Sequence, residues 1–129
     1  MPANTDPIFT LTPVIGVVTI AAANTNRDGT GAMSIVVDGG NFGTRIEYIR
    51  VVATGQVTNG VVRLFINSGT ASHLWKEIIV TATTPSTTTE VFNTEYIPTK
   101  PLVLPAGYIL EASTHNSETF NIYAHGGDY

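Results

Sequence analysis

The sequence predicts an all-β fold: a single-domain antiparallel β-sandwich of the jelly-roll kind, with about eight or nine strands. Three observations predict it. Hydrophobic residues recur with a period of two, and no stretch of eleven or more residues keeps an amphipathic helical pattern. Val, Ile, Thr, Tyr and Phe are abundant, the types that fit a pleated, half-buried surface. Clusters of Gly, Pro, Asn and Asp interrupt these runs at short intervals, as closely spaced strands require.

The strands follow in order. The segment Ile8 to Ala21 is long and carries Pro13 and Gly16, both of which punctuate strands, so it divides into an arm and a strand proper. Met33 to Asp38, Arg45 to Ala53 and Val61 to Asn67 come next, separated by Asp28-Gly29, Asp38-Gly39-Gly40-Asn41 and Asn59-Gly60. Leu74 to Thr83 and Thr89 to Ile97 flank a loop too polar for a strand interior, Thr83 to Thr89. Leu102 to Leu104 lies between Pro101 and the turn Pro105-Ala106-Gly107, and Tyr108 to Thr114 and Phe120 to Ala124 close the order.

Alternation assigns faces. Tyr108, Leu110 and Ala112, then Phe120, Ile122 and Ala124, face the core; Glu111, Ser113, Asn121, Tyr123 and His125 face outward. A hairpin around Asn116 to Glu118, with a loop of three or five residues, keeps both sets on consistent sides. Val62, Leu64 and Ile66 give a further core face and leave Val61, Arg63 and Phe65 outward. Two apolar residues on a nominally wet face mark either a partner contact or a second packed layer.

The chain of 129 residues fits one domain, with residues 1–7 as a polar, proline-bounded, extended N-terminal arm. Cysteine is absent, which excludes disulfides and thiolate metal sites. Charged residues make up 12% and hydrophobic ones 43%, so Thr, Asn, Ser and Gly must cover much of the surface. Such a surface packs against neighbours without burying many ions. The net charge is −4, and the six basic residues (Arg27, Arg45, Arg50, Arg63, Lys76 and Lys100) form no run, which argues against nucleic acid as a partner. The apolar stretch Pro13 to Ala23 lacks the positive flank of a signal peptide and is too short to cross a bilayer, so it reads as a buried strand and no membrane partner is expected.

No residue pattern points to catalysis or to a cofactor. Asn24-x-Asn26-x-Asp28-Gly29 imitates the first half of a calcium loop, but its twelfth position is Ile35 where a bidentate Glu belongs; a hydrogen-bonded turn is expected. His73, His115 and His125 lack the short-range pairing of a zinc site. No Ser or Thr stands in a nucleophile motif, and Glu47, Glu77, Glu90, Glu95 and Glu111 read as solvated strand positions. Trp75, the only tryptophan, falls opposite Leu74, Ile78 and Val80, either packed under a loop or serving as a contact anchor. The candidate partner-interface residues are Ile8, Phe9, Phe65, Trp75 and Tyr123.

The polar loop Asn24-Thr-Asn-Arg-Asp-Gly-Thr-Gly31, together with Arg45-Ile-Glu-Tyr-Ile-Arg-Val-Val-Ala-Thr-Gly55, Val62-Arg-Leu-Phe-Ile66 and the closing stretch from Leu104 to Ala124, resembles small virion proteins of tailed bacteriophages. Among these the chain is most similar in size and character to the capsid cement or decoration class. The resemblance covers nearly the whole chain, in style and arrangement, without a diagnostic motif. It implies a jelly-roll homotrimer made in the host bacterial cytoplasm and seated on the capsid surface, where major capsid subunits meet. Its arm and one sheet edge would clamp neighbouring capsomers. It implies no role for any single residue. A phage tail-fibre or baseplate receptor-binding module and a carbohydrate-binding β-sandwich are the competing expectations.

Overall fold

The computed structural model describes residues 9–129, so the expected arm, residues 1–7, and Ile8 lie outside the described residues. Nine strands follow in chain order: β1 (Thr12–Ile20), β2 (Ser34–Asp38), β3 (Thr44–Ala53), β4 (Gly60–Asn67), β5 (Ser72–Val80), β6 (Asn93–Tyr96), β7 (Leu102–Leu104), β8 (Ile109–Thr114) and β9 (Phe120–Asp128). No helix occurs among the described residues. The strands coincide with or overlap their expected spans, because period-two runs bounded by turn residues are local signals; β9 runs four residues past Ala124, where it pairs with β1 and β3.

The strands form two antiparallel sheets, and the fold is a β-sandwich. The first sheet has the order β1-β9-β3-β6, with β7 also pairing β3. The second has the order β2-β8-β4-β5. β6 pairs with Ile49 to Val52 and β7 with Thr44 to Ile46, so the two short strands share one side of β3, broken where Pro98 and Pro101 intervene. Successive strands mostly change sheet, an interleaving consistent with the jelly-roll expectation. Among the described residues only β4 and β5 form a tight hairpin, closed by the Ser68 N–H donating to the Ala71 carbonyl at 3.1 Å.

The expected hairpin between the last two strands is not there. β8 pairs with β2 and β4, β9 with β1 and β3, so the chain crosses from one sheet to the other through residues 115–119. Leu110, Ala112, Phe120, Ile122 and Ala124 do face the core, but from opposite sides of it. Alternation reports which side chains point inward; it is the same whether the next strand lies alongside or across the sandwich, so the loop-length argument could not distinguish the two.

The core is aliphatic. Ile46, Ile49, Val51, Val62, Leu64, Leu104, Leu110 and Ile122 are fully buried, and Phe92 packs edge-on against Phe120 at 6.5 Å. Ile46 and Ile49 both point inward despite their odd separation because β3 carries a bulge between Ile46 and Tyr48. Gly126 makes that bulge possible: a Cβ there would stand 1.7 Å from the Arg45 carbonyl oxygen.

Candidate interaction surface

Each sheet has an inner face in the core and an outer face, and the two outer faces differ. On the second sheet the outer face carries Arg63 and Phe65 from β4, Glu77 from β5, and Glu111 and Ser113 from β8. The segment joining β1 to β2 crosses it. Ala23 forms a parallel bridge with Thr114, and the Asn24 N–H donates to the Thr114 carbonyl at 2.8 Å. At the far side Gly29 sits against Ser72 with φ +87°; a Cβ there would lie 2.2 Å from the Ser72 carbonyl oxygen, and L side chains rarely adopt this backbone conformation.

Polar contacts shape this strap. Asn24 Oδ1 accepts from the Asn26 N–H, and Asn24 Nδ2 donates to the carbonyls of Thr30 and Ala32 at 3.0 and 2.9 Å. Asp28 Oδ1 accepts from the Thr30 hydroxyl and N–H, and these bonds hold the Asp28 carboxyl below its ordinary pKa. Two of the three side-chain oxygens that imitate a calcium loop, Asn24 Oδ1 and Asp28 Oδ1, are thus bonded within the strap itself. Among the described residues no three His, Asp or Glu side chains cluster as metal ligands would.

Arg63 fastens the strap from beneath. It was expected to face solvent, yet it is fully buried. Its Nε donates to Glu77 at 2.9 Å, Nη1 to the Asn24 carbonyl at 3.2 Å, and Nη2 lies 3.2 Å from His115 Nδ1. A guanidinium cannot accept, so His115 Nδ1 is the acceptor. Glu77 also accepts from Arg27 of the strap at 2.8 Å. The Arg27 hydrogen bond, seconded by Arg63 and opposed by burial, holds the Glu77 carboxyl below its ordinary value of 4.5. One carboxylate thereby joins the strap to β4 and β5.

Two further residues of this outer face are buried for the same reason, and of the two readings open for Phe65 the packed layer holds. Phe65, a candidate interface residue, is fully buried yet stands apart from the core cluster; it belongs to a second small packed layer on this face and cannot meet a partner. Ser113, expected outward, is 1% exposed, and its Oγ has no hydrogen-bond partner among the described residues. It lines a cavity of about 50 Å³ together with Ala22, Ala32 and Ser34. Alternation placed these side chains on the outer face correctly, but it carries no information about what a distant loop lays over them.

Trp75 is also corrected. A bulge between Leu64 and Phe65 shifts the β4–β5 register, so Leu74 turns outward opposite Phe65. Trp75 packs against the core and meets Tyr96 edge-on at 5.6 Å, while Lys76 Nζ stands 4.8 Å from the same ring. The tryptophan closes the edge of the sandwich where β5 and β6 approach.

The outer face of the first sheet has no such strap among the described residues. Its side chains form rows across the strands. Ile15, His125 and Tyr48 make one; Val17, Tyr123, Arg50 and Glu95 make the next; Thr19, Asn121, Val52 and Asn93 make a third. Tyr48 and His125 stack at 4.4 Å with their planes 10° apart. Arg50 pairs with Glu95 at 2.6 Å, Arg45 with Glu47 at 2.6 Å, and Thr19 donates to Asn121 at 2.7 Å. Ile15 and Val17 remain 55% and 53% exposed.

Tyr123 therefore lies in the middle row of the open face. Phe9, 78% exposed, stands with Thr10 beside Arg45 and Glu47 near one end of it. Sequence reasoning missed Ile15 and Val17 because β1 is apolar on both sides: Val14, Val18 and Ile20 turn toward the core, and a run with no polar alternation does not reveal that its other side is open.

No family model matches this chain, and no curated protein does. Two solved structures, each of a pentameric capsid protein isolated from metagenomic phage sequences, are similar to it. The first aligns over 93% of this chain and 66% of its own at 14% identity, with a TM-score of 0.36. The second aligns over 92% and 62% at 15% identity, with a TM-score of 0.35. This chain spans less than two thirds of either, and a likeness so distant carries no argument about function.

Proposed function

We propose that this chain is a structural protein of a bacteriophage virion, a capsid cement or decoration protein that binds the outside of the shell and stabilises it. The sequence resemblance to small virion proteins supplies the setting. The observation that carries the reading is the division of the outer faces: the strap covers Arg63, Phe65 and Ser113 on one and leaves Ile35, Leu74 and Ile79 exposed at its margins, while the other presents aliphatic and aromatic side chains in ordered rows with no cover among the described residues. Ile15 and Val17, half-exposed in adjacent rows of the uncovered face, are the apolar area there that a partner would remove from water.

In this reading the chain assembles as a homotrimer, and residues 1–7 with one sheet edge hold neighbouring capsomers. Binding only the mature shell stabilises that state by mass action. Several weak contacts carried on one oligomer gain avidity without any single strong patch.

The test is a mixture of purified protein with emptied capsids that lack it. Saturable binding at a fixed ratio to the major capsid protein is expected, and removal of residues 1–7 should weaken attachment while leaving the fold intact. Attachment to host cells or glycans with no capsid affinity would sink the reading in favour of a receptor-binding module.

A further inference from the structure

We infer that the open outer face of the first sheet is the site where a second copy of this chain packs. The inference rests on the reading above, that the chain works by assembly, and names the surface that does it.

Three features select the occupant. The first is size. β1, β9 and β3, nine or ten residues long at roughly 3.3 Å each, with β6 and β7 sharing the fourth place and all about 4.8 Å apart, give a face of about 19 by 30 Å. That is about 570 Å², most of the roughly 800 Å² per partner of a standard interface, so the loops at the rim of the face must supply the rest.

The second is charge. The face carries Arg45 and Arg50 against Glu47 and Glu95, joined in two ion pairs, so with His125 neutral its formal charge is zero while the whole chain carries −4. An acidic chain can bring another copy of itself to a neutral face without like-charge repulsion. A foreign partner chosen by charge would require a patch of one sign, which these rows do not offer.

The third is order. The Tyr48–His125 stack, the Arg50–Glu95 pair and the Thr19–Asn121 bond hold the longer side chains in place around Ile15 and Val17. The side-chain ordering cost of association is thus largely met in the free chain, and Ile15 and Val17 are left as the apolar area that association removes from water.

The test is sedimentation of the full chain with Val17→Asp, and with Ile79→Asp as control. Ile79 is 69% exposed on β5, in the other sheet. The parent should sediment at a whole multiple of 13.7 kDa. Val17→Asp should sediment as a single chain at concentrations at least a hundredfold above the parent's dissociation constant, with an unchanged circular dichroism spectrum; Ile79→Asp should assemble as the parent does. If Val17→Asp does not fold, Thr19→Arg, an exposed position in the next row, replaces it.

Assembly of a folded Val17→Asp or Thr19→Arg at parental strength overturns the inference. So does a monomeric parent, including one that associates only after residues 1–7 are removed, which would make the chain's own N-terminal segment the occupant. Capsid binding measured on the same samples separates this inference from the one it rests on. An assembled parent without capsid affinity fails the virion reading and keeps the interface; a monomer that decorates capsids does the reverse.

Discussion

The two outer faces of this sandwich begin from similar strands and end differently: on one the strap buries the middle and leaves Ile35, Leu74 and Ile79 exposed around it, on the other nothing among the described residues covers the middle. β4 and β8 present Phe65, Arg63 and Ser113 outward; β1 and β9 present Ile15, Val17 and Tyr123 outward. The first group is dry and the second is wet. The difference lies neither in the strands nor in their hydropathy but in twelve or so residues between β1 and β2, which cross one face and leave the other alone. Outward-facing apolar residues therefore have two meanings in a sandwich, and only the path of the long loops separates them.

The largest effects should come from disturbing the covered face. Phe65→Ala empties a fully buried ring site and should cost about 4 kcal/mol in urea denaturation. Arg63→Ala strips Glu77, His115 and the Asn24 carbonyl of a shared donor and should cost about 3 kcal/mol. Hydrogen exchange should rise over residues 21–33 in this variant more than over β3 or β9. Uniform acceleration across both sheets would mean that the strap is part of the global fold and not a separately fastened layer.

Glu77→Gln is a milder cut. It leaves the guanidinium its two other acceptors but removes its counter-charge, and should cost about 2 kcal/mol. Because the folded-state pKa of Glu77 is depressed, the stability it contributes is fully present above the ordinary value of 4.5 and is lost as pH falls through the lower folded value. The parent should lose stability below about pH 4.5, and Glu77→Gln should lose less over that window. Parallel pH profiles of the urea midpoint would remove Glu77 from the account.

Smallest should be the effect on folding of Val17→Asp on the open face. A half-exposed strand position with no strap above it should cost under about 1 kcal/mol, even as it changes association. If it destabilises the isolated chain as much as Phe65→Ala does, the face is not open and the comparison fails.

How much of this was legible beforehand follows from the range of each signal. The nine strands, the left-handed Gly29 after Asp28, and the inward faces of Leu110, Ala112, Ile122 and Ala124 were readable, since each depends on residues within a few positions of one another. The bulges in β3 and β5 were not, and the second of them, at Trp75, reversed Leu74 and Trp75. The candidate surface was half visible. Tyr123 and His125 alternate with core residues and so declared themselves outward, whereas Ile15 and Val17 sit in a run apolar on both sides.

The amino-acid order by itself determined an all-β chain, its strand boundaries and most of its core, because period-two patterning and turn chemistry act locally. Only the tertiary structure decided which sheet each strand joins, that β8 and β9 part company, and that Arg63 and Phe65 lie beneath the β1–β2 strap. Those outcomes depend on contacts such as Asn24 with Arg63 and Ala23 with Thr114, thirty-nine and more residues apart in the chain. Periodicity cannot register a contact at that distance; it reports how a side chain points, and the fold decides what it meets.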